Sequence, residues 1–203
     1  MKLYNSLGPN PRVVRMFLAE KGTQLSLAQV DVISGENRQE PYLQVNPHGQ
    51  TPTLELDDGR HISEILPICE YLEEVRPEPP LVGRTPEERA ETRMWARRVD
   101  LNICEPLTNS YRYSGGLRLF QSRMVTVPEA ADGLRRVAQD RLRWLDAQMA
   151  GKTFLCGPRF TLADIHLFCF LTFSIERGTP LDASLIRLAE WLTRIADRPS
   201  AAA

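Results

Sequence analysis

The chain is poor in the residues that usually declare a chemistry. Among 203 residues there are three histidines and four cysteines, with no C-x-x-C pair and no histidine at metal-ligand spacing, so no metal site is expected. Cys69, Cys104, Cys156 and Cys169 each stand alone among apolar neighbours, the setting of buried core thiols in a reducing compartment, and a cytoplasmic location is expected. A formal net charge of −1 gives no hold on phosphate backbones, which argues against nucleic acid as a partner. The longest apolar run, around Leu167 to Leu171, falls far short of the ~20 residues that span a bilayer. The opening MKLYNSLGPN lacks the apolar h-region of a signal peptide, and a membrane is not an expected partner. There is no internal repeat or low-complexity tract. What remains is ordinary for a globular protein with a real core: 42% hydrophobic and 25% charged residues.

The chain reads as two halves. Residues 1–78 mix short signals: a strand at KLYN, a helix at PNPRVVRMFLAEKG with Val14, Phe17 and Leu18 on one face and Gly22 as its stop, and a strand in LSLAQVDV. QEPYLQVN is a short helix or turn. PTLELDDGRHIS reads as two strands around Asp58-Gly59, and EILPICEYLEEV as a closing helix. The order β-α-β-α-β-β-α implies a small sheet with helices packed on it. Four prolines in the eleven residues from Arg76 to Pro86 break the chain, so residues 79–85 read as a linker. Residues 86–203 are helical throughout: Glu87 to about Tyr113, a segment from about Pro128, FTLADIHLFCFLTF, and SLIRLAEWLTRIAD. The third is apolar nearly all round and should be the buried centre of a bundle. Thr161 and Asp164 are spaced as a reciprocal capping box, with Phe160 and Ile165 as the flanking apolar pair.

Two helix starts in the first half could hold a ligand. In GRHISEILPICEYLEE the helix opens near Ser63 or Glu64, leaving the N–H groups of Glu64 and Ile65 free for a carboxylate, while the Glu64 side chain suits an ammonium. A plain helix cap is the alternative. In NSLGPNPRVVR, Pro9 and Pro11 delete two amides and stiffen the turn. The N–H groups of Gly8, Asn10 and Arg12, the Asn10 carboxamide and the Ser6 hydroxyl are left to meet an anion.

KLY with PNPRVVRMFLAEKG, then NPHGQTPTLELDDGRHISE, ICEYLEE and FLCGPRFTLADIHLF, in that order and spacing, resemble the glutathione S-transferase superfamily over essentially the whole chain. The resemblance implies an α/β thioredoxin-like N-terminal domain that binds glutathione, followed by an all-α helical C-terminal domain that forms the electrophile pocket. It implies a cis bond before Pro52 and a Thr51 main chain that pairs, strand-fashion, with the tripeptide. Gln50 matches the residue whose amide helps hold the peptide, and Glu64 the residue that binds the γ-glutamyl ammonium. Two positions depart from the pattern. Ile65 replaces the usual serine, keeping the N–H but losing a hydroxyl contact to the carboxylate. Gly8 stands where the family has its thiol-activating serine or cysteine.

By resemblance to the T-P-N turn of related transferases, Asn10 becomes the expected donor to the sulfur, with Ser6 next and Tyr4 as a third choice. No cysteine lies between positions 6 and 12, which argues against an omega- or beta-like mechanism through a mixed disulfide. Tyr111 and Tyr113, with Gly8, are expected in the second-substrate pocket, whereas Trp95 reads as core. The expected function is conjugation of the glutathione thiolate to a hydrophobic electrophile, in a homodimer, with glutathione as cosubstrate and no permanent cofactor. The alternatives are a glutathione-dependent disulfide or peroxide reductase, and a weakly catalytic glutathione-binding module.

Overall fold

Strand β1 (Lys2–Asn5) alternates in the pattern that a half-covered strand requires: Leu3 and Asn5 point into the interior, Lys2 and Tyr4 to the opposite face. It lies at the middle of the sheet in the computed structural model, which describes residues 1–203. Helix α1 (Pro9–Glu20) carries the chain to β2 (Ser26–Gln29), parallel to β1. A short helix α2 (Tyr42–Val45) precedes β3 (Thr53–Glu55), antiparallel to β1, and a hairpin through Asp58-Gly59 leads to β4 (His61–Ser63). The hairpin fits its residues. Gly59 adopts φ 83° and Asp58 accepts from the Arg60 N–H at 3.0 Å. Helix α3 (Ile65–Val75) closes the unit, packing Ile68, Cys69 and Leu72 with the buried α1 residues Val14 and Phe17. The element order is the expected one, and the strand order is β2-β1-β3-β4.

A buried cation ties off this unit. Lys21, just past α1, pairs with Glu73 and donates to the carbonyls of Arg76 at 2.8 Å and Pro79 at 2.6 Å, while Glu73 also accepts from the Leu81 N–H at 3.1 Å. The carbonyl at the C-cap of α3, Arg76, and that of Pro79 in the segment that follows are thereby met by one side chain from the end of α1. Residues Met1–Leu81 with Ala202–Ala203 form this first unit, and Val82–Ala201 the second.

The second unit is helical: α4 (Pro86–Val99), α5 (Glu105–Arg112), α6 (Leu117–Phe120), α7 (Ala131–Gln148), α8 (Leu162–Glu176) and α9 (Ile186–Ala196). Thr85 caps α4 by accepting from the Glu88 N–H at 3.2 Å. The long helix expected to run from Glu87 to Tyr113 is interrupted. A wider π-turn, Asp100–Cys104, joins α4 to α5. Pro106 explains it: an interior proline brings no N–H and its ring crowds the preceding turn, which the wider turn relieves. The one-turn α6 is not visible as a pattern in the sequence.

Every residue of α8 from Leu162 to Leu171 is buried, as its all-round apolarity requires. The capping box is present and is part of a larger network. The Asp164 carboxylate accepts from the Thr161 amide at 3.0 Å, the Thr161 hydroxyl at 3.1 Å, the Leu155 N–H at 2.9 Å and the Trp191 indole at 2.9 Å. Burial nonetheless pushes the Asp164 carboxyl above its usual range. Two residues on, His166 is sealed in the core with neither ring nitrogen hydrogen-bonded, its ring 4.9 Å from that of Phe170. Asp100 Oδ1 lies 3.6 Å from Nε2, outside hydrogen-bond reach. No helix is long and apolar enough to cross a membrane.

Candidate functional site

The sheet register gathers the N-terminal candidates at one end. Tyr4 pairs with Thr53, and Thr53 with Ser63. Extending both ladders by two residues sets Ser6 beside Thr51 and Thr51 beside Ile65. Contact confirms the first step, since the Ser6 and Thr51 hydroxyls are 2.5 Å apart. Helix α1 begins three residues after Ser6, so its N-terminus belongs to the same end of the sheet.

Thr51 precedes a cis bond to Pro52, and neither its N–H nor its C=O makes a hydrogen bond within the chain. Gln50 is held through its main chain: its carbonyl accepts from the Tyr42 hydroxyl at 2.6 Å and from the Asn46 carboxamide at 2.8 Å. Its own half-buried side chain bonds to nothing in the chain. The same two residues, Tyr42 and Asn46, also reach the Thr53 hydroxyl, at 3.1 and 3.2 Å. Two polar side chains from α2 and its exit therefore fix the main chain around Thr51 and leave its two hydrogen-bonding groups free.

Glu64 is the one non-glycine residue with positive φ, 72°, and it stands at the N-cap of α3 with no side-chain cap bond. The capping alternative is therefore not what the side chain does. Its carboxylate is exposed and unpartnered, and the next residue, Ile65, presents the first N–H of the helix. A carboxylate acceptor and an orphan donor thus sit side by side at the positive end of α3. Left-handed backbone in a non-glycine residue is uncommon and gathers at ligand clamps.

At the other helix end, Gly8 has φ 113° and ψ 171°, a region open essentially to glycine alone. A Cβ there would meet nothing within 4 Å, so backbone conformation and not crowding selects the glycine. Pro9 and Pro11 are buried, and α1 has no side-chain cap. The half-buried Asn10 carboxamide makes no hydrogen bond within the chain. Ser6 differs. It is 4% exposed, and its hydroxyl donates to the Leu7 carbonyl at 3.1 Å in addition to its contact with Thr51. The Tyr4 phenol donates to Glu55 at 2.8 Å, one pair further from the Ser6–Thr51 end, beneath the Lys2 ammonium. Of the three sulfur-donor candidates, Asn10 alone has an uncommitted polar side chain.

Arg15 was not among the sequence candidates. Its guanidinium donates to Asn5 Oδ1 at 2.6 Å and to the Ser6 carbonyl at 3.3 Å, fastening the strand end from which the Ser6–Gly8 turn departs. Its only sequence signal is a charge placed on α1 between the buried Val14 and Met16.

In the helical unit, Tyr111 lies in α5 with its ring edge-on to Phe173 at 5.3 Å, and Tyr113 is half-buried at the C-cap of that helix. Trp95 is buried, 6.0 Å from Trp144, as its core reading requires. All four cysteines are buried and free. Burial raises the thiols of Cys104 and Cys156, so neither is poised as a nucleophile.

A family model described as glutathione S-transferase, N-terminal domain, matches residues 8–75, and one described as glutathione S-transferase, C-terminal domain, matches residues 120–199. The crystal structure of a glutathione S-transferase domain-containing protein from Marinobacter aquaeolei superposes with a TM-score of 0.92. It is 35% identical and the match covers 98% of this chain and 99% of that one. Glutathione S-transferase 2 of Saccharomyces cerevisiae is 28% identical over 202 residues, 95% of this chain and 84% of that protein. Elongation factor 1-gamma of Sus scrofa is 34% identical over 171 residues, 79% of this chain but 37% of that longer protein.

Proposed function

From the premise that the chain belongs to the glutathione S-transferase family, we propose that it binds glutathione at the gathered end of the sheet and transfers the thiolate to an electrophilic small molecule. The observation that carries the proposal is the set of groups left unsatisfied there: the Thr51 main chain, the Gln50 and Asn10 carboxamides, the Glu64 carboxylate and the Ile65 N–H. Each meets a complementary group of the tripeptide. Thr51 pairs with the cysteinyl backbone as an added strand, Glu64 takes the γ-glutamyl ammonium, and the Ile65 N–H takes the neighbouring carboxylate with the Gln50 amide.

The sulfur then lies at the N-terminus of α1. There the Asn10 carboxamide donates to it, and the unpaired amides with the helix dipole favour its anion. A free cysteine thiol titrates near ~8.5, and each unit of depression requires about 1.4 kcal/mol of preference for the thiolate. One donor and a helix end are of that size. Ser6, with its hydroxyl committed to Thr51, acts through Thr51 in this reading. The electrophile approaches the sulfur past Gly8, whose missing side chain leaves it accessible. The same premise supports a cytoplasmic homodimer.

Ultraviolet titration of bound glutathione tests the proposal. The thiol should titrate below its free value in the parent and move back toward it in Asn10→Ala. If the substitution changes neither the titration nor the affinity, the assignment of Asn10 is wrong. A binding module with little catalysis is the second reading, favoured by Gly8 and by Ile65. Saturable glutathione binding with an unshifted thiol in the parent would establish it.

A further inference from the structure

Within the helical unit, the C-terminal turns of α5 and α8 and the flank of α7 surround a cavity of about 80 Å³ that opens to solvent. Three of its lining residues are unusual. Thr108, Ser110 and Ser174 are 8, 4 and 7% exposed, yet none of their hydroxyls makes a hydrogen bond within the chain. Helical serines and threonines commonly bond back to the carbonyl four residues earlier. Their neighbours do so: Thr172 to Phe168 at 2.8 Å and Ser114 to Ser110 at 2.6 Å. The three hydroxyls are not among the sealed, unsatisfied atoms of the protein. They therefore open into the cavity, where a guest can meet them.

The charge of the wall is of one sign. Its charged residues are Arg135 and Arg177, and no acidic side chain lines it. Arg135 is paired with Asp132 at 2.8 Å. Arg177 has no carboxylate and no side-chain hydrogen bond, and its guanidinium lies 5.9 Å from the Tyr111 ring centre and 5.3 Å from that of Phe173. Helix C-termini ordinarily attract cations, but the carbonyls at these two ends are already met. Tyr111 accepts from Gly116 N–H at 2.8 Å, Phe173 from Arg177 N–H at 3.1 Å and Ser174 from Thr179 N–H at 2.9 Å. The unused capacity of the cavity is consequently that of a guanidinium and hydroxyls over an aromatic floor of Tyr111, Phe170 and Phe173. Gly116 holds that floor in place, since a Cβ there would come within 2.8 Å of the Tyr111 ring.

We propose that this cavity binds a small aromatic carboxylate, its ring on Tyr111, Phe170 and Phe173 and its carboxylate on Arg177 and the hydroxyls of Ser110 and Ser174. The site is contained in the helical unit and does not depend on glutathione. Where Tyr111 also serves the electrophile, the same chemistry names aromatic acids as the substrate class, and that extension alone rests on the transferase reading.

Isothermal titration of the full chain with benzoate, and with benzamide as its uncharged counterpart, tests the site. Benzoate should bind saturably, one per chain, and benzamide at least tenfold more weakly. Arg177→Gln, an exposed position whose loss leaves the fold intact by circular dichroism, should weaken benzoate at least tenfold and leave benzamide unchanged. Saturating glutathione should not displace benzoate. Absence of saturable benzoate binding, equal affinities for the two probes, indifference to Arg177→Gln, or displacement by glutathione would each overturn the proposal. The benzoate, benzamide and Arg177→Gln results are independent of whether glutathione is ionised, which the thiol titration reads separately.

Discussion

Replacing His166 with leucine should make the helical unit less sensitive to mild acid. The imidazole is sealed in α8 against Phe170, both nitrogens lack partners, and Asp100, the charged group facing it from the π-turn, stays outside hydrogen-bond reach. Burial holds its pKa at about 4, against 6.5 when exposed. Between those values the unfolded chain binds a proton that the native chain refuses, so stability falls as pH drops through 6.5 and the loss is complete below about 4. The full effect is about 3 kcal/mol, and at pH 5, above the range of ordinary carboxylates, it is about 2 kcal/mol. All three tryptophans, Trp95, Trp144 and Trp191, belong to the helical unit, so their fluorescence in urea reports that unit alone. The stability lost by the parent between pH 7.5 and 5 should exceed the loss in His166→Leu by about 2 kcal/mol. At pH 7.5 the variant should be close to neutral, because an apolar group of similar size replaces two unsatisfied atoms. Parallel pH profiles for the two proteins would refute the reasoning.

Glu64→Gln should weaken glutathione by about tenfold or more in equilibrium dialysis, since a charge-assisted hydrogen bond contributes about 1.5–3 kcal/mol. The fold should be untouched, because the exposed side chain makes no hydrogen bond or ion pair within the chain. Gly8→Ala should lower the unfolding free energy by about 1–3 kcal/mol through backbone conformation alone, with no steric clash, measured by urea unfolding. Lys21→Met removes the buried ammonium that pairs with Glu73 and donates to the carbonyls of Arg76 and Pro79, and should destabilise the sheet unit by about 3–5 kcal/mol. A double variant, Lys21→Met with Glu73→Leu, should recover much of that loss.

Where local chemistry dictates an element, the sequence showed it. The proline and glycine that bracket α1, the Asp58-Gly59 hairpin, the Thr161–Asp164 box and the apolar surface of α8 are all nearest-neighbour statements, and the chain obeys them. The π-turn was hidden because Pro106 reads equally well as a first-turn residue of a new helix or as an interruption of an old one. The candidate site divides along the same line. Pro52, Thr51, Gln50 and Glu64 are candidates that the motifs and the family they resemble bring forward. That Ser6 is already bonded to Thr51, that Tyr4 is drawn toward Glu55 and that Arg15 fastens the strand end depend on residues far apart in the chain. The positive φ of Glu64 was equally invisible, since nothing in SEILP departs from an ordinary helix start. Partnership across the sheet, not residue type, separates Asn10 from its rivals.

The backbone at Gly8 also bears on descent. A hydroxyl-bearing side chain placed at that position by a single replacement starts with the torsional cost of the turn, which every L-residue there inherits until the loop itself is rebuilt. Selection acting on the reactivity of the sulfur is thereby diverted to adjacent positions. Variation among close descendants should accumulate at residues 6, 7 and 10 while the glycine stays fixed.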